Sequence, residues 1–127
     1  MYRMKNNIYE LIQNKEYETA EKLLRELYDK NEIDYLQLHQ LAFLNIIKLN
    51  NIEAIHFLKK SIEKNPNYSN SYSDLGSLYL RDNQIYLAKE CFVKSLELNK
   101  NLFSSHNNLG LIYKNQREYK LAIKHFL

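Results

Sequence analysis

The sequence has very few of the residues that make turns and disulfides. Its 127 residues include one proline, two glycines, one cysteine and no tryptophan. Turn-rich all-β folds need glycine and proline at many corners, so this shortage favours a helical protein. The lone Cys91 cannot form an internal disulfide, which excludes a disulfide-stapled scaffold and makes the cytoplasm the simplest location. No stretch approaches the roughly 18 apolar residues of a membrane span, so we expect no membrane partner.

The sequence also lacks a concentration of charge of one sign. Its 18 basic and 15 acidic residues are dispersed along the chain and give a formal net charge of +3. The only adjacent basic pair is Lys59-Lys60. Proteins that bind nucleic acid usually concentrate their basic residues in a patch or stripe. We therefore expect no nucleic-acid partner.

What the sequence does contain is a period of 34 residues. Alanine recurs at Ala20, Ala54, Ala88 and Ala122. Four residues further on, the side chain is always large and apolar, at Leu24, Leu58, Phe92 and Phe126. A third column in the same phase holds Asn7, Leu41, Leu75 and Leu109. Three columns in phase over four copies indicate an array of repeated structural units.

Each copy has the pattern of two helices joined by a short turn. In the third copy, an apolar stripe at i, i+3, i+4 and i+7 is formed by Tyr72, Leu75, Gly76 and Tyr79. A second stripe with Ala88 follows after a short interval. Gly76 and Ala88 should lie where the two helices cross, because axes only about 8–10 Å apart leave no room for a large side chain.

The pattern predicts eight helices, at approximately 3–13, 17–30, 35–48, 52–64, 69–82, 85–98, 103–116 and 119–127. Asn31, Asn65 and Asn99 recur near the ends of the second helices. Asparagine is the residue after glycine best suited to the left-handed conformation that ends many helices. We therefore expect these three residues to be left-handed helix caps.

The third and fourth copies resemble the tetratricopeptide repeat. They read Tyr72-x-x-Leu75-Gly76-x-x-Tyr79 and His106-x-x-Leu109-Gly110-x-x-Tyr113, followed by Ala88-x-x-x-Phe92 and Ala122-x-x-x-Phe126. The resemblance implies one all-α domain over residues 1–127, in which tandem antiparallel helical hairpins stack as a right-handed superhelix, an α-α solenoid of about eight helices. The repeats would be 1–34, which is degenerate, 35–68, 69–102 and an incomplete 103–127.

The resemblance also implies a non-catalytic adaptor or scaffold that binds a peptide or protein in a concave groove lined by the first helices. Three columns would face this groove. They are Asn6, Gln40, Asp74 and Asn108; Tyr9, Phe43, Ser77 and Leu111; and Lys5, His39, Ser73 and Asn107. Carboxamides donate and accept hydrogen bonds, so the first column either holds an extended ligand or bonds only locally. Tyr9 and Phe43 either anchor a ligand or fill space between neighbouring first helices.

Residues for chemistry are scarce. The four histidines, His39, His56, His106 and His125, lie on different predicted helices without metal-ligand spacing. Cys91 has no partner base suggested by the sequence and is expected to be an inert thiol, while His106 takes the place of an inward aromatic residue. We therefore expect no catalytic residue, no metal and no cofactor, and we do not expect an enzyme.

A second functional hypothesis is that the chain is the substrate-recognition or regulatory N-terminal arm of a larger enzyme. A glycosyltransferase or sulfotransferase whose catalytic domain lies beyond Leu127 would be an example, by analogy of fold. This hypothesis is favoured by the last predicted helix, which stops at Leu127 without a polar capping helix. The same open end also suggests self-association as a possible partner interaction.

Overall fold

The computed structural model describes residues 2–116 and 124–125, and over these residues it contains helices and no strands. The helices are α1 (Tyr2–Gln13), α2 (Tyr17–Asp29), α3 (Tyr35–Ile47), α4 (Asn51–Lys64), α5 (Ser69–Arg81), α6 (Ile85–Leu98) and α7 (Phe103–Asn115). The predicted all-α class is confirmed, and each of these helices begins and ends within one residue of its prediction. The helix predicted at 119–127 lies outside the described residues, apart from 124–125.

The helices pack in sequential pairs, α1 with α2, α3 with α4 and α5 with α6. A loop of three residues joins the members of each pair, which reverses the chain and makes a helical hairpin. The chain divides into two compact units, Met1–Lys64 and Asn65–Leu127. In the part of the chain that is described, no helix is long and apolar enough to cross a membrane.

The repeated columns form the core of each unit. In the first unit the side chains with no exposed surface include Ala20, Leu24, Leu41, Ala54 and Leu58. In the second unit one core cluster contains Ala88, Phe92, Leu109 and Ile112, with Tyr79, Leu80, Ile85, Leu96 and Tyr113 packed against it. The apolar spacing in the sequence therefore identifies the buried face of each helix.

The crossing of α5 and α6 is as close as the sequence predicts. A methyl group added at Gly76 would lie 2.7 Å from Cε1 of Phe92, closer than carbon atoms approach one another. Ala88 is completely buried. Small residues at the crossing thus let the ring of Phe92 lie against the backbone of α5.

The loops inside the hairpins hold a feature that the sequence analysis missed. Lys15, Leu49 and Asn83 have positive φ angles of 61°, 64° and 58°, and they are 34 residues apart. After each of them, a backbone N–H donates to a carbonyl five residues earlier: Glu16 to Leu11, Asn50 to Asn45 and Gln84 to Tyr79. This is the Schellman arrangement, in which one left-handed residue closes the end of a helix.

The predicted asparagine caps are only partly correct. Asn31 is left-handed with a φ of 56°. Asn99 is extended instead, with φ −144° and ψ 98°, and Asn65 is not among the residues with positive φ. Each of these two closes its turn with the side chain, since Oδ1 of Asn65 accepts from the N–H of Asn67 at 3.0 Å and Oδ1 of Asn99 from that of Asn101 at 3.1 Å. Asparagine can end a helix either way, which is why the prediction for Asn65 and Asn99 was wrong.

Candidate functional site

Helix α3 contains no Asp, Glu, Lys or Arg. Its start is fixed by a capping box, in which Oδ1 of Asp34 accepts from the N–H of Gln37 at 2.8 Å and Oε1 of Gln37 accepts from the N–H of Asp34 at 3.0 Å. One face of the helix packs inward through Leu38, Leu41 and Leu44.

The second face of α3 is also apolar, but it is exposed. Leu36, Phe43 and Ile47 are spaced so that they lie along one side of the helix. Their exposed fractions are 44%, 41% and 42%. We call these three residues the α3 stripe. Gln40, which is half-buried, shares this side of the helix, and Tyr9 on α1 is another large exposed side chain of the first unit, at 58%.

Three of the predicted groove residues of the second unit are part of a hydrogen-bonded chain between α5 and α7. The hydroxyl of Ser73 lies 3.0 Å from those of Ser104 and Ser105. Nδ2 of Asn108 donates to Oγ of Ser77 at 3.4 Å, and Ser77 donates to the carbonyl of Ser73 at 3.1 Å. Asn108 thus has a hydrogen-bond partner on another helix of the same unit.

Ser73 is a correction to the predicted groove. Its side chain is 3% exposed, so it does not face a ligand surface. The hydroxyls of Ser104 and Ser105 on α7 replace the water that Ser73 would otherwise bind. The small serine side chains allow α5 and α7 to pack together while their polar atoms stay hydrogen-bonded.

The remaining predicted residues lie on several helices. Asn107 and Leu111 are exposed on α7, while His39, Gln40 and Asp74 are half-buried. Leu111 also lines a cavity of about 390 Å³ together with Leu80 and Ile85. The side chains of Lys5 and Asn6 lie outside the described part of α1. The described contacts bring Ser73, Ser77 and Asn108 of the predicted set together.

A charged network in the first unit escaped the sequence analysis. Glu21 on α2 accepts from Nε of Arg25 at 3.1 Å and forms an ion pair with Lys48 at the end of α3. Nη2 of Arg25 donates to Glu53 on α4 at 2.7 Å. Burial raises the pKa of Glu21, but the hydrogen bonds and charges of Lys48 and Arg25 outweigh it and hold that pKa below its ordinary value. The network therefore connects three helices.

In the described part of the chain, no group of three or more His, Cys, Asp or Glu side chains is arranged to hold a metal ion. Cys91 is half-buried on α6. Among the exposed apolar side chains of the described residues, the α3 stripe groups three along one helix without an acidic or basic residue.

A family model described as tetratricopeptide repeat matches residues 57–90 and 91–124. The two matches are adjacent, each spans 34 residues, and together they cover more than half of the chain. They start at a different point of the period from the predicted repeats, because a repeating unit has no unique first residue. No curated protein matches the sequence.

Solved structures with the same fold include MamA, with a TM-score of 0.87 and 19% identity over 97% of this chain and 72% of that one. YrrB, described as a TPR protein with an unusual peptide-binding site, has a TM-score of 0.79 and 13% identity over 96% of this chain and 63% of its own. PilF of Pseudomonas aeruginosa has a TM-score of 0.84 and 22% identity over 94% of this chain and 55% of its own. The predicted helical-hairpin solenoid is thereby confirmed at the level of fold.

Proposed function

Because the chain belongs to the tetratricopeptide repeat family, we propose that it is a non-catalytic adaptor or scaffold that binds a peptide segment of a partner protein on its first helices. The fold supports a role in protein–protein interaction in general. The observation that supports the more specific proposal is the α3 stripe, three large apolar side chains on a helix without charge. The likeness to YrrB supports it only as an analogy of fold.

The stripe has the properties of a binding anchor. Covering apolar surface contributes about 25 cal/mol per Å², and aromatic residues near the centre of an interface often carry most of the binding energy. Phe43 lies between Leu36 and Ile47 along the helix. Gln40 can donate to and accept from the backbone of a bound segment. The bound segment should therefore carry apolar side chains, and its affinity should depend weakly on salt.

Each of the two units has further candidate binding residues on its own first helices. They are Tyr9, His39, Asp74, Asn107 and Leu111. We add Lys5 and Asn6 because they occupy the equivalent positions of the 34-residue period in the first repeat. Ser77 and Asn108 contribute less in this proposal, because they already bond to each other. Ser73 is left out because it is buried.

The proposal is tested by selecting short peptides from a displayed random library against the whole chain and measuring their affinities by calorimetry. Phe43→Ala should weaken the selected peptides about tenfold or more, since 1.4 kcal/mol is a factor of ten. Asn108→Ala should change affinity less. Ile52→Ala is the matched control, because Ile52 is an apolar residue of α4, 87% exposed and outside the α3 stripe.

Two outcomes contradict the proposal. Unchanged binding in both Phe43→Ala and Asn108→Ala would remove the first helices from consideration. An equal loss in Phe43→Ala and Ile52→Ala would mean that the peptides bind apolar surface without specificity. Circular dichroism melting curves of each variant separate a lost contact from a lost fold.

A further inference from the structure

Helix α6 has a solvent-facing side that mixes apolar and charged side chains. Six residues occupy positions i, i+3, i+4, i+7, i+8 and i+11 and so lie along one side of the helix, namely Tyr86, Lys89, Glu90, Val93, Lys94 and Glu97. They also line one depression of the surface, of about 420 Å³. Tyr86 is 74% exposed and Val93 is 42% exposed. We call these six residues the α6 face.

The described contacts of the charged residues on the α6 face are weak. Nζ of Lys94 lies 3.8 Å from Oε2 of Glu97, and their side chains are 47% and 63% exposed. Ion pairs as exposed as this contribute little to stability. Nζ of Lys89 lies 4.9 Å from the centroid of the Tyr113 ring. Lys94 and Glu97 can therefore exchange partners at little cost when another charged surface approaches.

The order of charges on the α6 face is self-complementary. From its N-terminal end it reads positive, negative, apolar, positive, negative, at Lys89, Glu90, Val93, Lys94 and Glu97. From its C-terminal end the same positions read negative, positive, apolar, negative, positive. An antiparallel second copy, related by a two-fold axis between residues 92 and 93, therefore sets opposite charges level with each other to within one residue, about 1.5 Å along the helix. A parallel copy would set each charge against its own kind, which is repulsive.

Among the second helices α2, α4 and α6, only α6 has this order. The residues of α4 that lie 34 positions earlier place Lys59 where α6 has Val93, so an antiparallel copy would bring Lys59 against Lys59. In α2 the positions equivalent to Lys89 and Glu97 hold Glu21 and Asp29, which have the same sign. The self-complementary order is thus a property of one helix of the second unit and does not follow from the repeat.

We propose that the α6 face binds the α6 face of a second copy of this chain, with the two helices antiparallel and Val93 at the centre. Lys89 of each copy then pairs with Glu97 of the other, and Glu90 of each pairs with Lys94 of the other. This proposal does not depend on the proposed function. Helix α6 has 14 residues and is about 21 Å long. Contact along one such helix covers less than the roughly 800 Å² per partner of a standard interface, so the dimer should be weak and should form at high concentration.

The order of charges allows a test by reversal and rescue. Self-association of the whole chain is measured by sedimentation equilibrium from micromolar to millimolar concentration. Glu90→Lys and Lys94→Glu should each weaken association about tenfold or more, because each change turns two attractive contacts into repulsive ones. The double variant Glu90→Lys/Lys94→Glu again sets opposite charges level with each other, so it should recover the association constant of the wild type. Circular dichroism melting curves show whether each variant is folded.

The matched control is a charge reversal on α4. Lys60 and Glu63 form an ion pair with the same spacing as Lys94 and Glu97, 3.7 Å apart and with side chains 43% and 68% exposed. Lys60→Glu should therefore leave the association constant unchanged. Added salt is a second measurement, because it screens exposed charges and should weaken the dimer of the unaltered protein.

Four results would overturn the dimer proposed for the α6 face. They are a wild-type chain that stays monomeric at millimolar concentration, an association that salt does not weaken, an equal loss in Lys60→Glu, and a double variant that associates no more tightly than the single variants. The concentration series and the salt titration use the unaltered protein, so the proposal remains testable if a variant does not fold.

Discussion

Leu49 has a backbone conformation that does not suit its side chain. Its φ of 64° lies in the left-handed region, where a side chain with a Cβ atom costs about 1–2 kcal/mol. Its side chain is 77% exposed, so burial offsets little of that cost. Asn83 holds the equivalent position in the second unit with a φ of 58°, and asparagine tolerates this conformation better.

Replacing Leu49 with glycine should therefore stabilise the protein. The relief of strain exceeds the extra flexibility that glycine gives the unfolded chain, which costs about 0.5–1 kcal/mol. We expect Leu49→Gly to raise the free energy of unfolding by up to about 1 kcal/mol, measured in urea. Asn83→Gly is the matched control, and its stability should be unchanged or lower. An unfolding free energy for Leu49→Gly at or below that of the wild type would show that the loop is not strained.

The left-handed loop residues also show what the period leaves undetermined. Lys15, Leu49 and Asn83 share no side-chain property, so no residue type marks their positions in the sequence. The length of the hairpin loop imposes the conformation, and the side chain only determines its cost. The buried columns behave differently, because a core position requires an apolar residue of suitable size and so leaves a visible pattern in the sequence.

At the scale of helices, Gly76 provides a test of two opposing effects. Alanine favours a helix over glycine by about 1 kcal/mol, whereas overpacking a core costs about 1–3 kcal/mol. The added methyl group would lie 2.7 Å from the ring of Phe92, which is completely buried. We therefore expect Gly76→Ala to lower the free energy of unfolding by up to about 2 kcal/mol, measured in urea.

The control for this prediction is Gly76→Ala in a variant in which the neighbouring Phe92 is replaced by a smaller residue. In a Phe92→Leu background, Gly76→Ala should cost less than it does in the wild type, because the two changes act on one contact. Additive effects of Gly76→Ala and Phe92→Leu would contradict the close approach of the ring and the helix.

The candidate site could be predicted from the sequence only in part. The period led to Phe43 and Tyr9, which are exposed. Ile47 was missed, although the lack of charge over Tyr35–Ile47 was a visible signal that both faces of α3 are apolar. Ser73 was placed wrongly because its hydroxyl bonds to residues 31 and 32 positions away, a contact that depends on how helices pack.

At the scale of the whole molecule, each compact unit contains one group that responds to acid in its own range of pH. In the first unit, ion pairs lower the pKa of Glu21, whereas in the second, burial and positive neighbours lower the pKa of His125. Protonation neutralises the glutamate but charges the histidine. Both groups nevertheless destabilise the folded state as the pH falls, because each has a folded-state pKa below its unfolded value. The histidine acts below about 6.5 and the glutamate below 4.5.

Glu21→Gln should remove the part of the stability that depends on the charge of Glu21. Folding lowers the pKa of Glu21, so its stabilisation is complete above the unfolded value of 4.5 and is lost as the pH falls through the folded value. At pH 7 we expect Glu21→Gln to lower the free energy of unfolding by about 1–2 kcal/mol. The loss is more than that of a surface ion pair because the side chain of Glu21 is only 11% exposed, and it is limited because the side chains of Arg25 and Lys48 are more exposed. Urea titrations should show the stability difference between Glu21→Gln and the wild type disappearing in acid.

The control is Glu63→Gln, because the side chain of Glu63 is 68% exposed and its replacement should have almost no effect. A deficit in Glu21→Gln that persists at pH 3 would mean that the network stabilises by packing and not by charge.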